Sequence, residues 1–230
     1  RHGVDADFIG HPLADAIPLQ PDRTAARTTL GEPADAPILA LLPGSRLGEI
    51  ERMLPIFLDA ATRLQRDMSG LRVLVPAANA KCRAAIERSA GCAAPHVRIL
   101  DGDAQRAMLA SDVVLLASGT AALEAMLCKR PMVIGHRISG LTYAIVKAFG
   151  LLKSAHVSLP NILAGETLVP ELLQDACTAD KLHAALLHWF GDADAAAALQ
   201  PKFLAIHESL RRDASARAAD AIAMLLPSTR

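Results

Sequence analysis

The sequence predicts an α/β fold, a doubly wound Rossmann-like parallel sheet of about five strands followed by helices. Three observations carry this. Short runs such as Ile38 to Leu42 and Asp112 to Ala117 are apolar without alternation, as expected of strands covered on both faces. Segments between them place apolar residues at helical spacing. The two patterns alternate, which is the signature of strand–helix–strand units in a parallel sheet.

Taken in order, the loop-like "GHPLADAIPLQPD" leads to a first strand at Ile38 to Leu42, ended by Pro43-Gly44-Ser45. In the next segment Ile50, Leu54, Phe57, Leu58, Ala61 and Leu64 fall on one helical face, and Pro55 inside it predicts a kink or a late helix start. Strands follow at Leu71 to Val75 and Val97 to Leu100, with helices at Asn79 to Ala90 and Ala104 to Ala110. Asp112 to Ala117 is the fourth strand and Pro131 to Gly135 the fifth. From about Gly165 the strand signal fades into successive helices, with Thr178 and Asp180 as candidate N-caps and Gly191 as a stop.

The 230 residues include 24 basic and 24 acidic side chains, a balance that gives no broad field for nucleic acid. Cys82, Cys92, Cys128 and Cys177 form no CxxC pair and stand at no metal-like spacing with His, so neither a zinc site nor a disulfide framework is expected; a reducing cytoplasm fits. No apolar run reaches the roughly 18 residues of a membrane span. The start, "RHGVDADFIG", has no initiator Met and no signal-peptide pattern, so it reads as the middle of a longer chain.

In open parallel sheets, ligands sit beyond the carboxyl ends of the strands. Three stretches there have unusual composition: "LLPGSRLGEIE", "LLASGTAALEA" and "VSLPNILAGETLVPELLQ". Ser118-Gly119-Thr120 joins an apolar strand to a helix start, where free amides and the positive dipole end suit a diphosphate; the hydroxyls would equally serve as caps. Glu124, a helical turn beyond Thr120, is placed either for a ribose diol or as a solvated helix acid. Arg46 offers a planar fork for phosphate oxygens, with Glu49 suited to the first helical turn; an ion pair between the two is the alternative. His11 beside Pro12 and Asn161 after Pro160 have structural default roles. Met53, Leu54 and Phe57 read as core rather than a membrane face. Neither a Walker A loop nor GxGxxG occurs.

Six motifs together, "GHPLAD" (10–15), "LLPGSRLGEI" (41–50), "VLVPAANAK" (73–81), "ILDGDAQ" (99–105), "LLASGTAALEAML" (115–127) and "LPNILAGETLVPELLQ" (159–174), resemble the lipid-A-disaccharide synthases over nearly the whole chain. The resemblance implies the C-terminal half of a GT-B glycosyltransferase, an inverting enzyme of Gram-negative lipid A biosynthesis. Such an enzyme transfers 2,3-diacylglucosamine from UDP-2,3-diacylglucosamine onto 2,3-diacylglucosamine 1-phosphate (lipid X), giving the β-1,6 disaccharide 1-phosphate and UDP. It implies residues 1–18 as a crossover from an N-terminal domain, 19–164 as the UDP-sugar domain, and 165–230 as a helical segment open to exchange in a swapped homodimer.

On the same resemblance Arg46 and Asn161 are the catalytic candidates, and Ser118, Gly119 and Thr120 hold the diphosphate. Glu124 takes the ribose, and the backbone at Leu100, Asp101 and Gly102 meets uracil. Glu49, Glu171 and Gln174 lie near the cleft. The general base is expected in the other half. No metal or cofactor is implied, in keeping with the absence of a DxD-like motif at the three junctions named above, and the setting is cytoplasmic at the inner-membrane surface. Leu47 stands where the family often has a small residue, and His136 where it often has an aromatic. The alternatives are a UDP-sugar 2-epimerase on the same fold and a non-catalytic UDP-binding fragment.

Overall fold

The computed structural model describes residues 6–90, 97–117, 119–138 and 156–225. The strands are β1 (Ile38–Leu42), β2 (Arg72–Ala77), β3 (Val97–Asp101), β4 (Val113–Ala117), β5 (Met132–His136) and β6 (Glu171–Leu173). They form one six-stranded sheet in the order β3-β2-β1-β4-β5-β6, every pair parallel. This is the doubly wound order, whose direction of winding reverses between β1 and β4.

The helices are α1 (Pro12–Ala16), α2 (Arg23–Leu30), α3 (Leu47–Asp67), α4 (Ala80–Ala90), α5 (Ala104–Ala110), α6 (Thr120–Leu127) and α7 (Leu159–Ala164), then α8 (Ala179–Gly191), α9 (Ala193–Leu210) and α10 (Ala214–Leu225). On one side α3 packs between α4 and α8; on the other α5 packs on α2 and α6, and α6 meets α7 and α9. Both faces of β1 and β4 are thereby sealed, which is why all ten of their residues are buried and the sequence there is apolar without alternation. Phe57 on α3 is fully buried, as are Met53 and Leu54, and such a side chain contributes about 1.5–3 kcal/mol by leaving water. The core reading of that stripe holds.

Two expectations change. The strand signal does not end near Gly165: Glu171–Leu173 pairs with Ile134–His136 as a sixth strand, so the sheet reaches past a boundary at 164/165. Three residues are too few to show a period, and the sequence "ELLQ" reads equally as helix. The second change concerns Pro55. α3 begins eight residues before it, at Leu47, so there is no late start. Pro55 and Glu51, whose carbonyl loses its amide partner, are both exposed, so solvent can reach the freed group.

The amino-terminal segment docks on the last helices. Leu210 carbonyl accepts from the His11 amide at 2.9 Å, and the Asp15 carboxylate accepts from Asp213 and Ala214 amides at 2.9 and 2.7 Å. Asp15 thereby caps the turn into α10, and the Ala214 amide holds its pKa below the usual carboxylate value. Thr178 caps α8 by accepting from the Lys181 amide, whereas Asp180 lies within the first turn. Among the described residues no helix is long and apolar enough to cross a membrane.

Candidate functional site

The β1–β4 register pairs Leu42 with Leu116, which sets the loops after both strands side by side at the reversal point. β2 and β3 end in register as well, Ala77 against Asp101. The four strand ends enclose a cleft of about 440 Å³, lined by Gly44, Ser45, Arg46 and Glu49 from the first loop and Gly119, Thr120 and Glu124 from the fourth. Pro76 to Ala78, Gly102 and Ala104 close the third side. Sequence reasoning assigned no role to the small residues of "VPAA"; their signal was low bulk at a strand's carboxyl end.

In the first loop, Gly44 has φ +124, and a Cβ there would stand 2.6 Å from Glu49 Oε2. The Glu49 carboxylate fills that space. Its Oε2 accepts from the Ser45 amide at 3.2 Å and its Oε1 pairs with Arg46 Nη1 at 2.8 Å. Glu49, in the first turn of α3, thus closes the helix start as a capping-box acid does, reaching back to an amide that precedes it. The ion pair weighed from the sequence is present, yet Arg46 remains 82% exposed, so its guanidinium is displayed to the cleft. Cys82 supports the loop from beneath, its buried thiol 3.3 Å from the Ser45 carbonyl.

At the fourth loop, Ser118 lies outside the described residues. Gly119 is the N-cap of α6, with φ +144, a backbone form that favours glycine, and it has no side chain to cap the helix. Open space lies beside it where a Cβ would be. Among the described residues no side chain caps this helix start, which turns its first amides and the positive dipole end to the cleft.

Glu124 faces the same cleft, half-buried, and among the described residues no donor meets its carboxylate. Burial raises its pKa above the ordinary value of 4.5, opposed by the charge of His11. His11 itself caps α1, its Nδ1 accepting from the Leu13 amide at 3.2 Å, in line with the structural role read from the sequence.

Of the backbone stretch 100–102, Gly102 lines the cleft, with the Leu100 side chain turned to the core and the Asp101 carboxylate paired with Arg83 at 2.9 Å. Asn161 is fully buried: Nδ2 donates to Val169 carbonyl and Glu171 Oε1 (2.9 and 2.8 Å), and Oδ1 accepts from the Leu168 and Val169 amides (2.8 and 3.0 Å). Every hydrogen-bonding group of that amide is used, so it does not reach the cleft; it organises the loop before β6. Glu171 accepts from the Val157 and Ser158 amides, the Ser158 hydroxyl and Asn161. Burial works to raise its pKa, and these donors, Ser158 first, outweigh it and lower it. Gln174, at φ +50, uses its carbonyl to hold Arg137 at 3.1 Å. His136, at the end of β5, has a buried Nδ1 that meets no partner among the described residues, and burial depresses its basicity. Among the described residues no group of three or more His, Cys, Asp or Glu side chains is arranged to hold a metal ion.

A model of the lipid-A-disaccharide synthetase family matches residues 1–224. The chain belongs to this family. It is 57% identical over 229 residues to a lipid-A-disaccharide synthase of Xanthomonas axonopodis pv. citri (strain 306), covering 98% of this chain and 52% of that protein. To the enzyme of Xylella fastidiosa (strain M12) it is 54% identical over 229 residues, covering 98% and 60%. The family chain therefore spans about half the length of the curated relatives it matches. Among solved structures, S. aureus MnaA bound to UDP superposes with a TM-score of 0.58 at 16% identity, covering 96% of this chain and 55% of that one. WaaG, a glycosyltransferase involved in lipopolysaccharide biosynthesis, superposes with a TM-score of 0.52 at 15% identity, covering 87% and 50%. At those identities the likeness establishes a shared GT-B-type fold, and the motifs that line the cleft lie inside the family match.

Proposed function

We propose that this chain is the donor-binding half of a lipid-A-disaccharide synthase, and that its cleft seats the UDP of UDP-2,3-diacylglucosamine. The observation that carries the reading is the convergence, at the reversal point of the sheet, of a helix start at Gly119 that no described side chain caps, the displayed Arg46 guanidinium and a Glu124 carboxylate with no donor among the described residues. A nucleoside diphosphate meets all three needs at once. Its phosphates take the amides of α6 and the fork of Arg46, and its ribose hydroxyls donate to Glu124.

In the transfer, the 6-hydroxyl of 2,3-diacylglucosamine 1-phosphate attacks the anomeric carbon as the bond to UDP breaks, with inversion. Negative charge grows on the departing diphosphate. Fixed amides and Arg46 stabilise that charge more than the bound ground state, which lowers the barrier. Arg46 must exchange Glu49 for phosphate oxygens as the donor binds, so Glu49 holds the fork ready for that exchange. Asn161 acts at one remove, by fixing the segment around Glu171. The base that takes the hydroxyl proton comes from the part of the relatives outside the matched span, so this chain binds donor and turns over only when that part is supplied. Action at the inner-membrane surface and assembly as a homodimer belong to the same proposal; the exposed Ile222 and Met224 of α10 suit self-association, which light scattering over a concentration series tests.

Calorimetry with UDP, ADP and GDP tests the site. UDP is expected to bind best, and Arg46→Ala to weaken it by about tenfold or more, the equivalent of one charge-assisted hydrogen bond. Equal affinity for the three nucleotides, together with no effect of Arg46→Ala, refutes the assignment. Disaccharide formation on mixing with the remaining portion of a relative, and none without it, is the outcome expected of a donor half.

A further inference from the structure

At the opposite, amino-terminal edge of the sheet lies a second cavity, of about 680 Å³, walled by Arg23, Arg27, Asp112, Arg130, Trp189 and Phe190. Asp112 is fully engaged there: Oδ1 pairs with Arg23 at 2.5 Å, and Oδ2 accepts from Arg27 and from the Ile38 amide, each at 2.8 Å. Arg27 is equally spent, donating also to the carbonyls of Pro33, Ala34, Ala36 and Ala110. Arg130 differs. Its Nε is buried with no hydrogen-bond partner, and among the described residues no carboxylate pairs with its guanidinium. Among the described residues Asp35, exposed on the rim, is the only further acid lining the cavity, so there three guanidiniums face two carboxylates of which one is fully bonded. Burial, with Arg23 alongside, lowers the Arg130 pKa to about 10, and the group is still charged at neutral pH.

We propose that this cavity binds a phosphate-bearing small molecule, with Arg130 and Arg23 holding the phosphate and Trp189 and Phe190 walling its organic part. Phosphate is favoured over carboxylate because two guanidinium forks need more acceptor oxygens than one carboxylate supplies, and a phosphomonoester presents three. The site is independent of the UDP cleft, which lies at the other ends of the same strands.

Trp189 is the chain's single tryptophan, so its fluorescence reports on this cavity directly. Titration with inorganic phosphate and with phenyl phosphate at constant ionic strength is expected to give a saturable change, tighter for the phenyl ester. Arg130→Gln should weaken both by about tenfold or more while UDP affinity is kept, and Arg46→Ala should leave the phosphate response intact, which separates this proposal from the UDP assignment. Arg23→Gln, at a half-exposed side chain, repeats the test should Arg130→Gln fold poorly. No saturable change, or one equal in wild type and both variants, overturns the proposal. So does a response to phosphatidylglycerol vesicles without one to either soluble phosphate, which would mark a lipid headgroup instead.

Discussion

Asn161 Nδ2 donates to Glu171 Oε1 at 2.8 Å, so a buried amide on α7 and a carboxylate opening β6 secure the last strand of the sheet to the helix before it. The pair joins two residues that the family motif places ten apart and that the cleft does not contain.

Replacing Asn161 by Ala should therefore cost stability before it costs binding. The change strands the amides of Leu168 and Val169 and the Val169 carbonyl in a buried site, at about 1–3 kcal/mol for each group that finds no water. Urea unfolding should show a loss of about 3 kcal/mol or more, and UDP affinity of the folded fraction should change less than in Arg46→Ala.

Glu171 gives a pH signature. Its folded-state pKa is depressed, so its contribution to stability is present above the unfolded pKa, near 4.5, and is lost as pH falls through the lower folded value. Chemical denaturation from pH 7 to pH 3 should show a steeper acid loss in wild type than in Glu171→Gln, the difference being confined to the region below about pH 4.5. Parallel curves would remove Glu171 from the acid transition.

Glu124 should act in the opposite sense and on the ligand. Burial raises its pKa above 4.5, while accepting two ribose hydroxyls requires the ionised form. UDP affinity should fall as pH drops into the mildly acidic range. Because the diphosphate also protonates, the informative quantity is the difference between wild type and Glu124→Gln, measured by calorimetry; the variant should bind more weakly at neutral pH and lack the Glu124 component on acidification.

Gly44→Ala tests the first loop. The added Cβ meets the Glu49 carboxylate and forces φ +124 on an alanine, so a loss of about 1–3 kcal/mol is expected from strain. Displacing Glu49 also frees Arg46 from its hold, so UDP affinity should drop with stability. Glu49→Gln, which keeps the shape and the Ser45 hydrogen bond but removes the charge, should retain most of the stability.

Much of the architecture was legible because it follows from burial. β1 and β4 are sealed on both faces, and continuous apolar runs are what that requires. β6 was not legible, because its three residues have no period and are held by pairing with β5 and by Asn161 and Glu171. The junction residues Gly44, Arg46, Gly119 and Glu124 could be singled out by type and position, but the same types serve as caps, ion pairs and solvated acids. Choosing among those roles depended on which groups remained unpartnered after folding.

By itself the sequence determined the α/β class, the strand–helix order and the candidate residues of two loops, since these depend on local periodicity and on short motifs. Only the tertiary structure decided that strands β1 and β4 lie side by side, so that loops more than seventy residues apart line one cleft. It also decided that Asn161 is spent inside the fold while Arg46 and Glu124 remain available, and that Arg130 is left without an acceptor at the far edge. Register and satisfaction of hydrogen bonds are properties of contacts between distant segments, and no local pattern encodes them.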